Sequence, residues 1–542
     1  MNLDLLNKKI KKFKVNENNI SKKDLISFYW SKKNPNVLFN IINEFGDENN
    51  VIFDPFLGSG PILFSLDATK KNFKFIGNEI NEMPLSFINF NLKNISESEL
   101  YNIKKKFNLF YQDFKKYYEY QSPVYKENIQ LKKMIFNYKK DNKIQIKEFY
   151  LDNGVKSFLV NSKSKKKFKE NQKIYFERLQ NCKKKINKED ILLIQNSRIA
   201  IKNNMKLSTI FNPINFFVLL QFSKKFKKNI DMITILSSVL HLCRLTDVKS
   251  QSQFPYWVPK NEVVERNVLN LIYKKIEELI KYKTNNTLNL NLKNNFRSLS
   301  NKDKSILLFN KPVQKLNEKN IPDNVVDILI TDPPYFDQVA YSEYLKIWEF
   351  FCNFKTNIDD EIVLSNRVYK KKDLGDYLND LKNAFLLINR KLKPNALAII
   401  FFKDSKPKNI HFFLSIMKNS GFNFIRSLHI NKKKYTYKQN TTPMTTVTGD
   451  CIFFFKKTKI SNNRLDFNLK NNNHDFSFDE IKKEVKKFVN NYLKTNINPS
   501  LGEIYDNGLL KILFEKNLLY KIKSSKMIVD ILNKEFNFLK SK

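Results

Sequence analysis

Short apolar runs separated by turn signals open the chain. Val51-Ile52-Phe53 predicts a buried strand, followed by the tight turn Asp54-Pro55-Phe56-Leu57-Gly58-Ser59-Gly60, a helix over 61–70 and a second strand over 73–77. Residues 1–50 predict helices, with a break at Asn34-Pro35. From about 95 to 300 the pattern changes to a Lys- and Tyr-rich stretch, predicted to be mainly helical. Within it, 162–173 (SKSKKKFKENQK) predicts a solvated or mobile loop. Apolar spacing returns over 209–243, where Phe216, Phe217, Leu219 and Leu220, then Ile233, Ile235, Leu236, Val239 and Leu240, predict two packed helices. A second alternating stretch follows. It has a strand over 325–330, the turn Thr331-Asp332-Pro333-Pro334-Tyr335, an amphipathic helix over 373–392 broken by Lys393-Pro394-Asn395, and a buried strand over 396–402. A helix over 408–419 and strands over 424–430 and 451–455 complete it. The tail from about 461 is charged, then helical, and predicts a small separate unit.

Strands alternating with helices predict an α/β, doubly wound parallel sheet. The division expected is 1–95, 96–300, 301–460 and 461–542, with the second part inserted into the sheet. Such sheets bind ligands beyond the carboxyl ends of their strands, at the switch point. Both turns, Asp54–Gly60 and Asp332–Tyr335, lie at that end of their strands, so the fold can make them neighbours.

Composition narrows the partners. Lys+Arg is 96 against Asp+Glu 54, a formal charge of +42, which favours a polyanion such as nucleic acid. The dominance of Lys, Asn, Ile, Phe and Tyr is also what an AT-rich genome supplies without selection for binding. Cys182, Cys243, Cys352 and Cys451 form no CxxC pair, and the four histidines are scattered, so neither a metal site nor a disulfide framework is expected and a cytoplasmic setting fits. No run of about 18 apolar residues suggests a membrane span.

Two motifs carry the chemistry. Gly58 and Gly60, with Ser59 between them and Asp54 to Phe56 before, let the backbone approach a nucleotide-like cofactor closely. Glu79, just past the second strand, stands where such folds hold ribose hydroxyls, unless it is an exposed charge at a helix start. In Asp332-Pro333-Pro334-Tyr335, two prolines fix the backbone and remove two donors. The Asp332 carboxylate and the Pro333 carbonyl can then accept both hydrogens of an exocyclic amino group, and Tyr335 offers an aromatic face for a flipped base.

On these two motifs, Glu79 and the order of strands around them, the chain resembles the DNA amino-methyltransferases that act on adenine N6 or cytosine N4. The run Asp332 to Ser342, Phe211-Asn212-Pro213 and Lys391-Leu392-Lys393-Pro394 resemble adenine-specific members with a long helical insertion between the motifs. The resemblance covers roughly 21–95 and 205–457. It implies a Rossmann-like methyltransferase sheet that binds S-adenosylmethionine through Phe56, Gly58, Ser59, Gly60 and Glu79, with Asp54 in the same turn. It implies that Asp332, Pro333, Pro334 and Tyr335 hold the target base of double-stranded DNA. Trp30, in the segment 29–35, fits either the methionine end of the cofactor or the core. No adenine-ring pocket is legible.

Weaker signals stay open. Gln251-Ser252-Gln253-Phe254-Pro255-Tyr256-Trp257 suits a DNA groove or a packed loop. Lys403-Asp404-Ser405 ends a strand, and Asp404 is a candidate for shaping the base pocket. The stretch 435–448 suits a closing loop or an ordinary hairpin. The rival readings are an RNA amino-methyltransferase of the guanine N2 type and an inactive nucleic-acid-binding subunit on the same fold. No nuclease motif is visible, so cleavage in a restriction-modification or defence system requires a partner nuclease.

Overall fold

The computed structural model describes residues 3–15, 20–26, 28–138, 144–186, 189–199, 201–248, 262–336, 339–404, 406–430, 450–460, 478–494, 499 and 501–536. Residues 251–257, 337–338, 405 and 435–448 of the sequence reading lie outside that set.

The first part runs α1 Leu3–Lys12, α2 Pro35–Phe45, β1 Val51–Asp54, α3 Pro61–Ala68, β2 Lys74–Asn78 and α4 Glu82–Leu92. The 13–34 stretch is not helical where described, and Asn34-Pro35 starts a helix rather than breaking one. The Asn34 side chain accepts the Asn36 N–H as an N-cap, and Pro35 takes the first turn, where its missing N–H costs nothing.

The middle part runs α5 Glu97–Phe114, β3 Glu119–Gln121, β4 Asn128–Tyr138, β5 Ile144–Asp152, β6 Ser157–Asn161, α6 Lys165–Ile186, α7 Pro213–Phe226, α8 Ile230–Cys243, β7 Thr246–Asp247, β8 Glu262–Arg266 and α9 Val268–Tyr282. Helices predominate, as expected, but a six-stranded sheet in the order β6-β5-β4-β8-β7, with β3 on β4, went unread. The expected loop at 162–173 is largely the start of α6. Its buried stripe, Tyr175, Leu179, Cys182 and Ile186, has helical spacing and fixes that face against the sheet.

The last part runs β9 Asn291–Lys293, β10 Ser305–Phe309, β11 Val326–Thr331, α10 Tyr341–Cys352, α11 Leu374–Lys391, β12 Leu392–Phe401, α12 Pro407–Asn419, β13 Phe422–Ile430 and β14 Asp450–Lys457, followed by helices such as Phe478–Leu493 and Ser525–Phe536. Lys393-Pro394-Asn395 lies inside β12, so α11 passes directly into the strand. The eight-stranded sheet has the order β13-β14-β12-β11-β1-β2-β10-β9, parallel except for β14. It takes β9 from what was assigned to the insertion.

From β1 the chain builds outward on one side through β2, and β11 later adds on the other. The register Ile52↔Ile328 and Phe53↔Leu329 places the switch point between the two motif-bearing strands. Helices α7 and α8 share a core with α10 through Trp348, whose indole N–H donates to the Ser237 carbonyl at 2.9 Å. The C-terminal helices are not a separate unit. Val485, Leu509, Leu513 and Leu532 share one apolar core with α11, α12 and β13, because a short helical tail cannot bury enough surface alone.

Candidate active site

The glycine turn leaves β1 with two residues in the left-handed region, Gly58 at φ 57° and Gly60 at φ 71°. A Cβ on Gly58 would stand 3.2 Å from the Tyr29 ring, and one on Gly60 would stand 2.8 Å from Ile88. Glu79, at the end of β2, is buried and holds the turn in place. Its carboxylate accepts the Gly58 N–H at 2.9 Å and the Asn81 N–H at 3.0 Å. Burial pushes the Glu79 carboxyl up to about 7, against the pull of those bonds. Asp54 ties the two central strands together, accepting the Thr331 hydroxyl at 2.7 Å and the Phe56 N–H at 3.1 Å. Burial pushes it, too, up to about 7.

A cleft of about 590 Å³ opens over these strand ends, lined by Phe56, Gly58, Glu79, Ile80, Gln314 and Ile362, among others. A second of about 510 Å³ adjoins it over Trp30, Ser31, Lys33, Ser59 and Thr331. Tyr29, Phe56, Gly58, Asp332 and Tyr341 border both, and the Tyr29 and Tyr341 rings stack between them at 5.4 Å. Ser59 Oγ, Asn78 Oδ1 and Gln314 Oε1 are buried and meet no partner among the described residues. Unpaired buried acceptors beside a cleft of nucleoside size suit a cofactor with several hydroxyl and amino donors.

At the end of β11, Asp332, Tyr335 and Lys33 form a closed triangle. The Lys33 ammonium lies 2.9 Å from Asp332 Oδ2 and donates to the Tyr335 hydroxyl at 3.0 Å, and that hydroxyl donates to Asp332 Oδ1. Pro333 is buried, and the Pro334 carbonyl accepts the Tyr377 hydroxyl at 2.8 Å. Tyr335 is half-buried, with two neighbours at its ring. Lys33 Nζ lies at its hydroxyl end, 5.3 Å from the ring centroid, and Phe402 packs against it edge to face at 5.2 Å.

Two expectations change. Trp30 is 6% exposed and packs edge-on against Trp348 at 5.6 Å, so it is mainly core while bordering the second cleft. Asp404 turns to the start of α12, accepting the Lys406 N–H and the Asn409 side-chain amide, each at 2.8 Å, so it shapes that helix rather than a base pocket. The sequence reading named the segments 29–35 and Asp332–Ser342 without singling out Lys33 or Tyr341 or giving Tyr29 a role, and it missed Gln314 and Glu361. A single lysine carries no signal in so lysine-rich a chain, and the others come from segments that only the fold assembles.

Beneath the first cleft, Arg367 is fully buried with its guanidinium 2.8 Å from Glu361 and 3.7 Å from Glu343. Glu361 also accepts the Ser342 N–H at 3.1 Å. Burial and the neighbouring Glu343 push the Glu361 carboxyl up, against Arg367.

Residues 326–523 match the N6_N4_Mtase family, described as DNA methylase. Over that stretch the chain is similar to DNA amino-methyltransferases of the N6-adenine/N4-cytosine class. S-adenosylmethionine is the methyl donor of that class. The match runs well into the C-terminal helices, which the sequence reading could not place, and starts beyond the glycine turn. No curated protein matches the chain. Among solved structures, Haemonchus contortus phospholethanolamine N-methyltransferase 2, in complex with phosphomonomethylethanolamine and S-adenosylhomocysteine, is 10% identical over 93% of this chain and 97% of that one. Its TM-score is 0.12, so the fold rests on the strand order above. No helix among the described residues is long and apolar enough to cross a membrane.

Proposed function

We propose that this chain methylates the exocyclic N6 amino group of an adenine turned out of duplex DNA. The observation that supports it most is the triangle of Asp332, Tyr335 and Lys33, a carboxylate and a phenol already holding a nitrogen donor beside the cofactor-sized cleft. In this reading the target amino group takes the place of the Lys33 ammonium. Asp332 accepts one of its hydrogens and the Pro333 carbonyl the other, which aims the nitrogen lone pair and works mainly by positioning. Tyr335 and Phe402 give the base aromatic surface once Lys33 has moved aside. Unstacking the base costs a few kcal/mol, which contacts in the pocket offset. An aspartate at the start of the tetrapeptide favours adenine over cytosine.

S-adenosylmethionine supplies an electrophilic methyl group when bound. Phe56, Gly58, Ser59 and Gly60 are assigned to its close approach, Glu79 to its ribose hydroxyls and Gln314 to its adenine amino group. Asp54 and Trp30 act from behind, fixing the turn and the cleft wall. The basic insertion, 96–300, is assigned to the duplex. The chain fits a cytoplasmic modification enzyme of a restriction-modification or defence system, with any nuclease on another chain.

The test is methyl transfer from radiolabelled S-adenosylmethionine to unmethylated genomic DNA and, in parallel, to total RNA, with digested nucleosides identified by mass spectrometry. Labelled N6-methyldeoxyadenosine, lost in Asp332→Ala, is the expected result. N4-methyldeoxycytidine would move the target to cytosine. Label confined to RNA, or none at all, would overturn the reading.

A further inference from the structure

The segment 358–372 joins a buried ionic root to an exposed apolar tip. At the root, the Arg367 Nη1 donates to Glu361 at 2.8 Å, Nη2 to the Ile358 carbonyl at 3.1 Å and Nε to the Lys370 carbonyl at 2.8 Å. Ser365 and Lys372 pair across the root as an antiparallel bridge, and the Val368 N–H donates to the Gln195 carbonyl of the insertion at 3.0 Å. At the tip, Val368 is 70% exposed and Tyr369 59%. Lys370 turns the chain at φ 51°, in the left-handed region.

Burying a guanidinium costs several kcal/mol unless its donors are met. Here they are met by groups that fix both ends of the loop, so the tip is held in place. A fixed tip that exposes apolar side chains is a contact surface for a partner. Lys370 and Lys371 follow it directly, and Lys370, which pairs with Asp359, also lies 5.3 Å from the Tyr369 ring. An apolar tip followed by cations matches stacked bases beside phosphates. Its position agrees, since the Leu364 N–H, at the foot of the loop, donates at 2.9 Å to the carbonyl of Phe336, the residue after Tyr335.

We propose that the Val368–Tyr369 tip is a wedge that enters the duplex beside the target base and fills the space it vacates, with Lys370 and Lys371 on the adjacent phosphates. This rests on the DNA reading above. Arg367 is then a positioning residue, acting through the tip. Both tip side chains are exposed, so truncating them leaves the core intact.

The test uses the full chain and a duplex carrying a site that the unaltered enzyme modifies, either fully paired or with a mismatch opposite the target base. Tyr369→Ala should lose about tenfold or more in transfer to the paired duplex and recover most of it on the mismatched one, where the base is already loose. Tyr369→Phe should retain activity, and affinity for S-adenosylmethionine should hold in both. Val368→Ser should follow Tyr369→Ala more weakly. No loss, or an equal loss on both duplexes, overturns the wedge. Failure of the unaltered enzyme on any DNA would instead overturn the function proposed above.

Discussion

Lys33, from the segment before α2, reaches across the sheet to within 2.9 Å of Asp332, at the end of β11. The pair joins the two halves of the interrupted sheet at the point where chemistry is proposed. Its side chains are only 11% and 23% exposed, so the attraction is less screened than in a surface pair.

Asp332→Ala is expected to lower methyl transfer at least a hundredfold, since misplacement of a reacting group costs about that much. Asp332→Asn, which keeps one acceptor oxygen, should retain more. Cofactor affinity, measured by calorimetry, should change little in either. Lys33→Met should lose roughly tenfold in transfer, equivalent to ~1.4 kcal/mol, because the donor that holds Asp332 and Tyr335 in place until the base enters is gone. Unchanged transfer by Lys33→Met would remove Lys33 from the site.

Gly60→Ala should weaken cofactor binding. A side chain at φ 71° costs about 1–2 kcal/mol, and the new Cβ would press on Ile88 and shift the turn. Calorimetric titration with S-adenosylmethionine should show a loss of roughly tenfold. An unchanged affinity would show that the turn is not the cofactor's cradle.

Glu265, in the insertion, is buried among Tyr118, Tyr120, Tyr138 and Tyr175, and accepts the Tyr175 hydroxyl at 3.5 Å. Burial pushes its carboxyl up to about 8 from an ordinary 4.5. Below about 4.5 both folded and unfolded chains hold the proton. Between 4.5 and 8 only the folded chain does, so this group lowers stability as pH rises through that window. Glu265→Gln should therefore raise Tm increasingly from pH 5 to pH 8. A constant difference across that range would count against the protonated carboxyl.

His429 behaves in the opposite sense. Burial opposes its charge, but the Cys451 sulfur and the Asp506 carboxylate, 2.6 Å from Nδ1, outweigh it and hold the imidazolium up to about 10. Its contribution is complete below about 6.5 and is lost as pH rises towards 10. Because Asp506 belongs to the C-terminal helices and His429 to β13, those helices should become protease-sensitive across that window. Asp506→Asn should make them sensitive at every pH.

The central sheet was legible because its strands are covered on both faces and read as unbroken apolar runs, as in Val51-Ile52-Phe53. Strand β5 of the insertion is half-buried, with Ile146, Phe149 and Leu151 inward and Gln145 and Lys147 outward. Among so many lysines and tyrosines that alternation passes for a helical surface. At the site, Asp332, Gly58 and Glu79 stand in compact motifs. Gln314 and Glu361 carry no such context, and only β10 and the Arg367 network bring them to the cleft.

The pairing of β1 with β11 also sets a timetable for synthesis. When β1 leaves the ribosome its central neighbour is still more than two hundred residues from being made, a delay on the order of tens of seconds at ordinary elongation rates. Through most of that interval both edges of the nascent sheet, β1 and β2, lack their outer neighbours. The insertion, with its own sheet and local helix contacts, is free to fold first, so chaperone cover should matter most for β1 and for β2, whose outer neighbour β10 is also more than two hundred residues away.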